Sequence, residues 1–336
     1  MELEARSTPE IISRVLETGS DAYERLGARL REEPPLQILT IARGSSDHAA
    51  GYLAYLMMSR MGKLVTSLPL SLVSLEHAPL QSERTLAIAI SQSGQSPDVI
   101  EPVRYFRNGG AITVALVNDI NSPLAQAAEH AIGIEAGTEL GLAATKSFVA
   151  SLVAGLRMMA HWHGDASLNV ALKNLPAELE RASETDWSRA VEMLATADRC
   201  MVVGRGLGLP IALEAALKLK ETSALQAEGF SGAEIMHGPM ALIEPGYPLI
   251  IFANNGPTLS IQVQLAREMR ERGAKVLLVA PDEVAERDLP MPTASHAVFE
   301  PICAIQAFYI MAAELAAARG MNPDQPRHLK KITQTR

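Results

Sequence analysis

Short β-branched runs alternate with helical stretches twice over, and this alternation constrains the 336-residue chain more than any other feature. A leading helical stretch (about 8–31) precedes strand candidates at 37–42, 64–68, 85–91, 111–117 and 131–136. A long amphipathic helix from Thr145 to about Trp162 follows, then a polar, helical connector. The alternation restarts with strand candidates at 199–204, 248–253, 275–280 and 296–299. Parallel strands need long crossovers, which helices supply, so the pattern predicts an α/β fold of mostly parallel, doubly wound sheets flanked by helices. Each half also opens alike, with an apolar strand, an Arg-Gly turn and an Ala-rich helix. Ile38–Gly44 precedes Ser45-Ser46-Asp47-His48-Ala49-Ala50, and Cys200–Gly206 precedes Leu207-Gly208-Leu209-Pro210-Ile211-Ala212. The reading is a duplicated domain: residues 1–163 and 191–322, a connector at 164–190, and a C-terminal tail at 323–336.

In such sheets ligands sit beyond the carboxyl ends of the strands. That is where Gly44-Ser45-Ser46 and Ser91-Gln92-Ser93-Gly94-Gln95-Ser96 fall. Ser96 suits an N-cap and Pro97 the first helical position. Backbone N–H groups, the positive end of a helix dipole and several hydroxyls then converge, which predicts an anion site of the phosphate type.

Several function classes are excluded. Lys and Arg total 30 against 38 Asp and Glu, and the resulting net charge of −8 with no basic block argues against nucleic acid. Gly204-Arg-Gly206-Leu-Gly208 lacks the third glycine spacing of a dinucleotide site. Glu234-x-x-His237 is half of a carboxylate-bridged metal site with no second pair, so no metal and no cofactor are expected. The two cysteines, Cys200 and Cys303, lie in apolar runs and read as buried thiols of a reducing compartment. With no signal-peptide core, and with the apolar run 302–313 too short for a bilayer, a soluble cytoplasmic protein is expected.

The chemistry-bearing residues fall in the second half. Glu214, Lys218 and Glu221 stand at i, i+4 and i+7 of one helix, a single stripe. That spacing fits a surface salt-bridge ladder or a carboxylate base tuned by an ammonium. His237 precedes Gly-Pro, a turn from which an imidazole can reach a cleft, although structural histidines share that setting. The basic tail after Pro326 is either solvated or a carrier of an imine-forming lysine.

Taken together, nearly the whole chain resembles the isomerase half of glucosamine-6-phosphate synthase, a pair of sugar isomerase (SIS) domains. The matching segments are Gly44-Ser-Ser46, Ser91-Gln-Ser-Gly-Gln-Ser96, Gly137-Thr-Glu-Leu-Gly-Leu-Ala-Ala-Thr-Lys146, Gly204-Arg-Gly206, Leu213–Glu221, Ala227-Glu228, His237-Gly-Pro239 and Asp324–Lys331. The resemblance implies two tandem SIS domains and roles for individual residues. Ser45, Ser46, Ser91, Gln92, Ser93 and Ser96 would hold a sugar phosphate, and Gly44, Leu142 and Ala144 would line the sugar. Glu221 would move a proton between C1 and C2, supported by Glu214 and Lys218. His237, contributed across a homodimer interface, would open the ring, and Lys331 would form a Schiff base on a tail closing the site. Two residues depart from the family pattern. Arg43 stands in place of a cysteine, and Ala144 in place of a serine that touches the sugar.

The synthase carries an N-terminal glutaminase domain, and no cysteine lies in the N-terminal region here. The expectation is therefore a deaminase, converting glucosamine 6-phosphate and water to fructose 6-phosphate and ammonia. Alternatives are a fructosamine-6-phosphate deglycase, a galactosamine-6-phosphate deaminase and, from another class, a non-catalytic sugar-phosphate sensor.

Overall fold

The computed structural model describes residues 1–329, and contacts divide them into two compact units. The first comprises Glu10–Glu139 and Lys146–Lys173, the second Met1–Pro9, Leu140–Thr145 and Asn174–Leu329.

In the first unit, β1 (Gln37–Ile41), β2 (Thr66–Ser67), β3 (Thr85–Ser91), β4 (Ile112–Val117) and β5 (His130–Gly133) pair in parallel, in the order β2-β1-β3-β4-β5. Every residue of β3 and β4 is buried, which is why both read as continuous apolar runs instead of alternating ones. Ile41, Ala89 and Val117 of the sheet pack with Val103 and Phe106 of helix Pro97–Asn108.

The second unit holds β6 (Arg199–Gly204), β7 (Gln226–Ser231), β8 (Pro248–Phe252), β9 (Lys275–Ala280) and β10 (Leu289–Pro290), again all parallel. Their order, β10-β9-β8-β6-β7, is that of the first sheet read from the other end, strand for strand. The duplication visible in the sequence is thus repeated in topology. In each sheet the order reverses between its first and third strands, and a crevice opens at their carboxyl ends. Helix Gly208–Ser223 follows β6 after a very tight turn. A Cβ on Gly204 would lie 2.2 Å from the Gly208 carbonyl oxygen, so only glycine permits this approach.

Three expectations need correction. The leading helical stretch is two helices, Glu2–Glu17 and Ser20–Glu32, broken at Gly19. His296–Phe299 is a turn, not a strand, because the Phe299 N–H donates to the His296 carbonyl (2.8 Å) and the Val298 N–H to His296 Nδ1 (3.2 Å). The last strand of that sheet falls at β10 instead. Finally, β7 escaped notice because this edge strand carries Gln226, Glu228 and Gly229, only Ala227 being buried.

Helix Glu300–Ala318 extends the apolar run to a length that could cross a membrane, the one described helix to do so, but most of it is buried inside the second unit. Both cysteines are free and buried, and burial pushes the Cys200 thiol up to about 12 and raises Cys303 as well. A raised value keeps the thiol protonated, and only the thiolate reacts. The native protein at pH 8 is therefore expected to take up no iodoacetamide over a period in which the urea-unfolded chain takes up two equivalents. Rapid modification of native Cys200 or Cys303 would contradict the packing described.

Candidate active site

In the first unit two turns follow adjacent strands. Ser45 and Ser46 open helix Ser45–Met61 after β1, and the serine turn 91–96 joins β3 to helix Pro97–Asn108. Ser91 is nearly buried, and its Oγ accepts the Gly94 N–H at 3.1 Å. Ser93 Oγ accepts the Gln95 N–H at 3.3 Å. Each hydroxyl accepts from its own turn, so its hydrogen remains available to donate. Gly94 makes the turn possible. It has φ +62°, and a Cβ there would meet Ser122 Oγ at 2.2 Å. Ser96 holds the N-cap position, but its hydroxyl makes no cap bond to the helix, contrary to expectation. The N–H groups of the first turn accordingly receive no side-chain cap. Arg43 Nε reaches Asp98 Oδ2 at 3.0 Å, tying the turn after β1 to the helix after β3. Arg43, the departure from the family's cysteine, is therefore engaged with a buried carboxylate.

The second unit holds the ionisable cluster. Helix Gly208–Ser223 packs against β6, β7 and helix Glu300–Ala318, which buries the 214/218/221 stripe. The side chains of Glu214 and Lys218 are 0% and 1% exposed, so the solvated ladder is excluded. Lys218 Nζ donates to Glu221 Oε2 and stands 3.5 Å from Glu214 Oε1. Tyr309, fully buried on helix Glu300–Ala318, donates its hydroxyl to the same Glu214 oxygen at 3.2 Å. Only Glu221 emerges, 19% exposed, into a cavity of about 650 Å³. Lys220, Thr222, Gln325, Arg327 and His328 line that cavity with it. A carboxylate bonded to a buried ammonium, yet open to a cavity, has the setting that general acid–base chemistry requires.

The remaining candidates are spread more widely. His237 ends the 3₁₀ turn Glu234–His237, is exposed, and does not line the Glu221 cavity. Leu142 and Ala144 lie in the second unit, where the Leu142 N–H donates to the Asp324 carbonyl at 3.3 Å. Gly44 and Gln92 belong to the two turns of the first unit. Lys331 lies outside the described residues. Among the described residues no group of His, Cys, Asp and Glu has the geometry of a metal site.

Sequence reasoning missed Tyr309, Arg327 and His328. Tyr309 carried a faint signal, a hydroxyl in a largely apolar helix that must find a partner once buried. Arg327 and His328 were visible only as part of a basic tail.

Two parallel sheets with one strand order, serine turns at a switch point and a buried carboxylate–lysine cluster define a doubly wound α/β protein. The SIS domain family matches residues 31–160 and again 193–319, and the chain belongs to it. It is 33% identical over 319 residues to the glutamine–fructose-6-phosphate aminotransferase (isomerizing) of Aeropyrum pernix, covering 88% of this chain and 50% of that protein. The chain spans about half the length of the curated relatives it matches. A solved chain from Silicibacter pomeroyi, described as a phosphosugar isomerase, is 40% identical with a TM-score of 0.92, over 96% of this chain and 99% of that one. The C-terminal domain of the Francisella tularensis glucosamine-fructose-6-phosphate aminotransferase shares the fold, with 24% identity, a TM-score of 0.84 and 96% of each chain covered.

The buried cluster generates a stability prediction. Lys218→Met removes the cation that two carboxylates share, and breaking a buried pair in this way costs about 3–5 kcal/mol. Urea unfolding of both proteins at pH 8 reads the effect. A variant midpoint equal to wild type at pH 8 would contradict the burial described.

Proposed function

We propose that this SIS-family protein is an enzyme, an amino-sugar phosphate isomerase and deaminase that converts glucosamine 6-phosphate and water to fructose 6-phosphate and ammonia. The observation that carries this reading is Glu221, opening into a cavity while bonded to the buried Lys218. Membership of the SIS family and the isomerizing aminotransferases among its relatives support a sugar phosphate as the substrate.

In this reading Ser45, Ser46, Ser91, Gln92, Ser93 and Ser96 hold the phosphate through hydroxyl and backbone N–H donors, and Gly44, Leu142 and Ala144 line the sugar. A remote anchor of this kind restricts the reacting carbons without taking part in the chemistry. His237, contributed by the partner subunit of a homodimer, opens the pyranose to the aldehyde; its exposure and its absence from the Glu221 cavity accord with that role. Glu221 takes the C2 proton, giving an enolamine, and returns a proton to C1, so the C1 aldehyde becomes a hydroxymethyl group and the C2 amine an imine. Water adds to C2, directly or after exchange with Lys331, and ammonia leaves to give the ketone. Lys218 favours the ionised form of Glu221 for the first step, and Glu214 holds the ammonium in place beside it. The scheme consumes one amino-sugar phosphate and one water and calls on no oxidant or cofactor.

Incubation with glucosamine 6-phosphate is expected to release ammonia and fructose 6-phosphate in equal amounts. Glu221→Gln should lower kcat by about 10²–10⁴-fold, as loss of a positioned base does, while still binding the sugar phosphate. Ammonia released only from a fructosamine 6-phosphate or from galactosamine 6-phosphate would overturn the substrate assignment. Binding without turnover of any of the three would make the protein a sensor.

A further inference from the structure

The Glu214–Lys218–Glu221 cluster is asymmetric. Lys218 donates directly to Glu221, whereas its ammonium stands 3.5 Å from Glu214. Glu214 is the more deeply buried carboxylate, and in a site closed to water an ammonium is drawn to the charge that solvent serves least. Lys218 would therefore be expected to settle on Glu214. What offsets this is the hydroxyl of Tyr309, which donates to Glu214 Oε1 at 3.2 Å from a different helix. A hydrogen bond to an ionised acceptor is among the stronger kinds, so it disperses much of the charge on Glu214.

We propose that Tyr309 is a positioning residue for Glu221. By serving Glu214 it leaves the Lys218 ammonium on Glu221, which keeps the proposed base ionised. Tyr309 donates to Glu214 and does not line the cavity, and the proposed influence on Glu221 runs through Glu214 and Lys218. The inference deepens the isomerase reading and rests on it for the role of Glu221.

The charged groups facing Glu221 come from several elements. Lys218 and Lys220 share its helix, Arg327 and His328 line the cavity from the segment after helix Glu300–Ala318, and Arg319 nearby is held by the carbonyls of Ser223, Leu194 and Ala197. His328 is itself ionisable, so the test must cancel its contribution. A double-variant cycle does so, because His328 is present in all four arms.

Wild type, Tyr309→Phe, Glu214→Gln and the double variant are labelled with carboxyl-¹³C glutamate and titrated by NMR, with Glu221→Gln assigning the Glu221 signal. Tyr309→Phe is expected to move the Glu221 titration upward by about half a unit or more, because Lys218 is drawn away to Glu214. Glu214→Gln should move it downward, since the competing charge is gone. In the Glu214→Gln background the Phe substitution should have no effect. An unchanged titration in Tyr309→Phe overturns the proposal, as does the same upward shift in the Gln background. If Tyr309→Phe does not fold, Glu214→Gln alone still decides, because a Glu221 titration unchanged or raised in that protein overturns the proposal. None of these readouts needs turnover. A normal set of shifts in a protein that releases no ammonia would strike the reaction and leave the positioning intact.

Discussion

The ammonium of Lys218, buried beside two carboxylates, is the interaction on which the proposed chemistry depends. A lone ion in such a place would carry a desolvation cost of several kcal/mol and would lose its charge. Here Glu214, Glu221 and the Tyr309 hydroxyl share the burden, and the helix that carries Glu214, Lys218 and Glu221 is locked between a parallel sheet and the apolar helix Glu300–Ala318. Packing thus does electrostatic work. By excluding water from Glu214 and Lys218 it strengthens their field at Glu221, the one member left open.

The two units show one topology carrying two different sets of polar side chains. Each sheet runs in the same order, and each has a turn and a helix beyond the carboxyl end of its first strand. In the first unit that helix begins with Ser45 and Ser46, and the neighbouring turn adds Ser91 and Ser93, giving a cluster of donors. In the second unit the corresponding helix is tightly joined to β6 through Gly204, and its interior carries the ionisable stripe. The strand order supplies the crevice, and the residues placed around it supply the function.

Much of this was legible beforehand because buried parallel strands announce themselves as uninterrupted aliphatic runs. β3, β6 and β9 were read with their observed bounds. β7 was not, because its polar edge lacks that signature. His296–Phe299 looked like a strand by composition, and a local hydrogen-bonded turn overrode propensity. The stripe at 214, 218 and 221 was visible as a spacing, but spacing alone does not separate a solvated ladder from a buried cluster. That distinction depended on helix Glu300–Ala318, some ninety residues away, packing over it. For the same reason the hydroxyl of Tyr309 did not disclose which group it serves. Nor could sequence order disclose that Met1–Pro9 and Leu140–Thr145 belong to the second unit. They are joined there by the Glu4 carboxylate accepting the Leu140 and Gly141 N–H groups, and by Gln306 donating to the Ala5 carbonyl.

Proton transfer at Glu221 is the centre of this account, and solvent exchange observes it without reference to ammonia. The protein is mixed with fructose 6-phosphate in D₂O, and the C1 hydrogens are followed by NMR. One of the two should exchange for deuterium with fixed stereochemistry, and the exchange should vanish in Glu221→Gln. Exchange that survives in that variant, or its absence from the wild-type protein, would contradict the account.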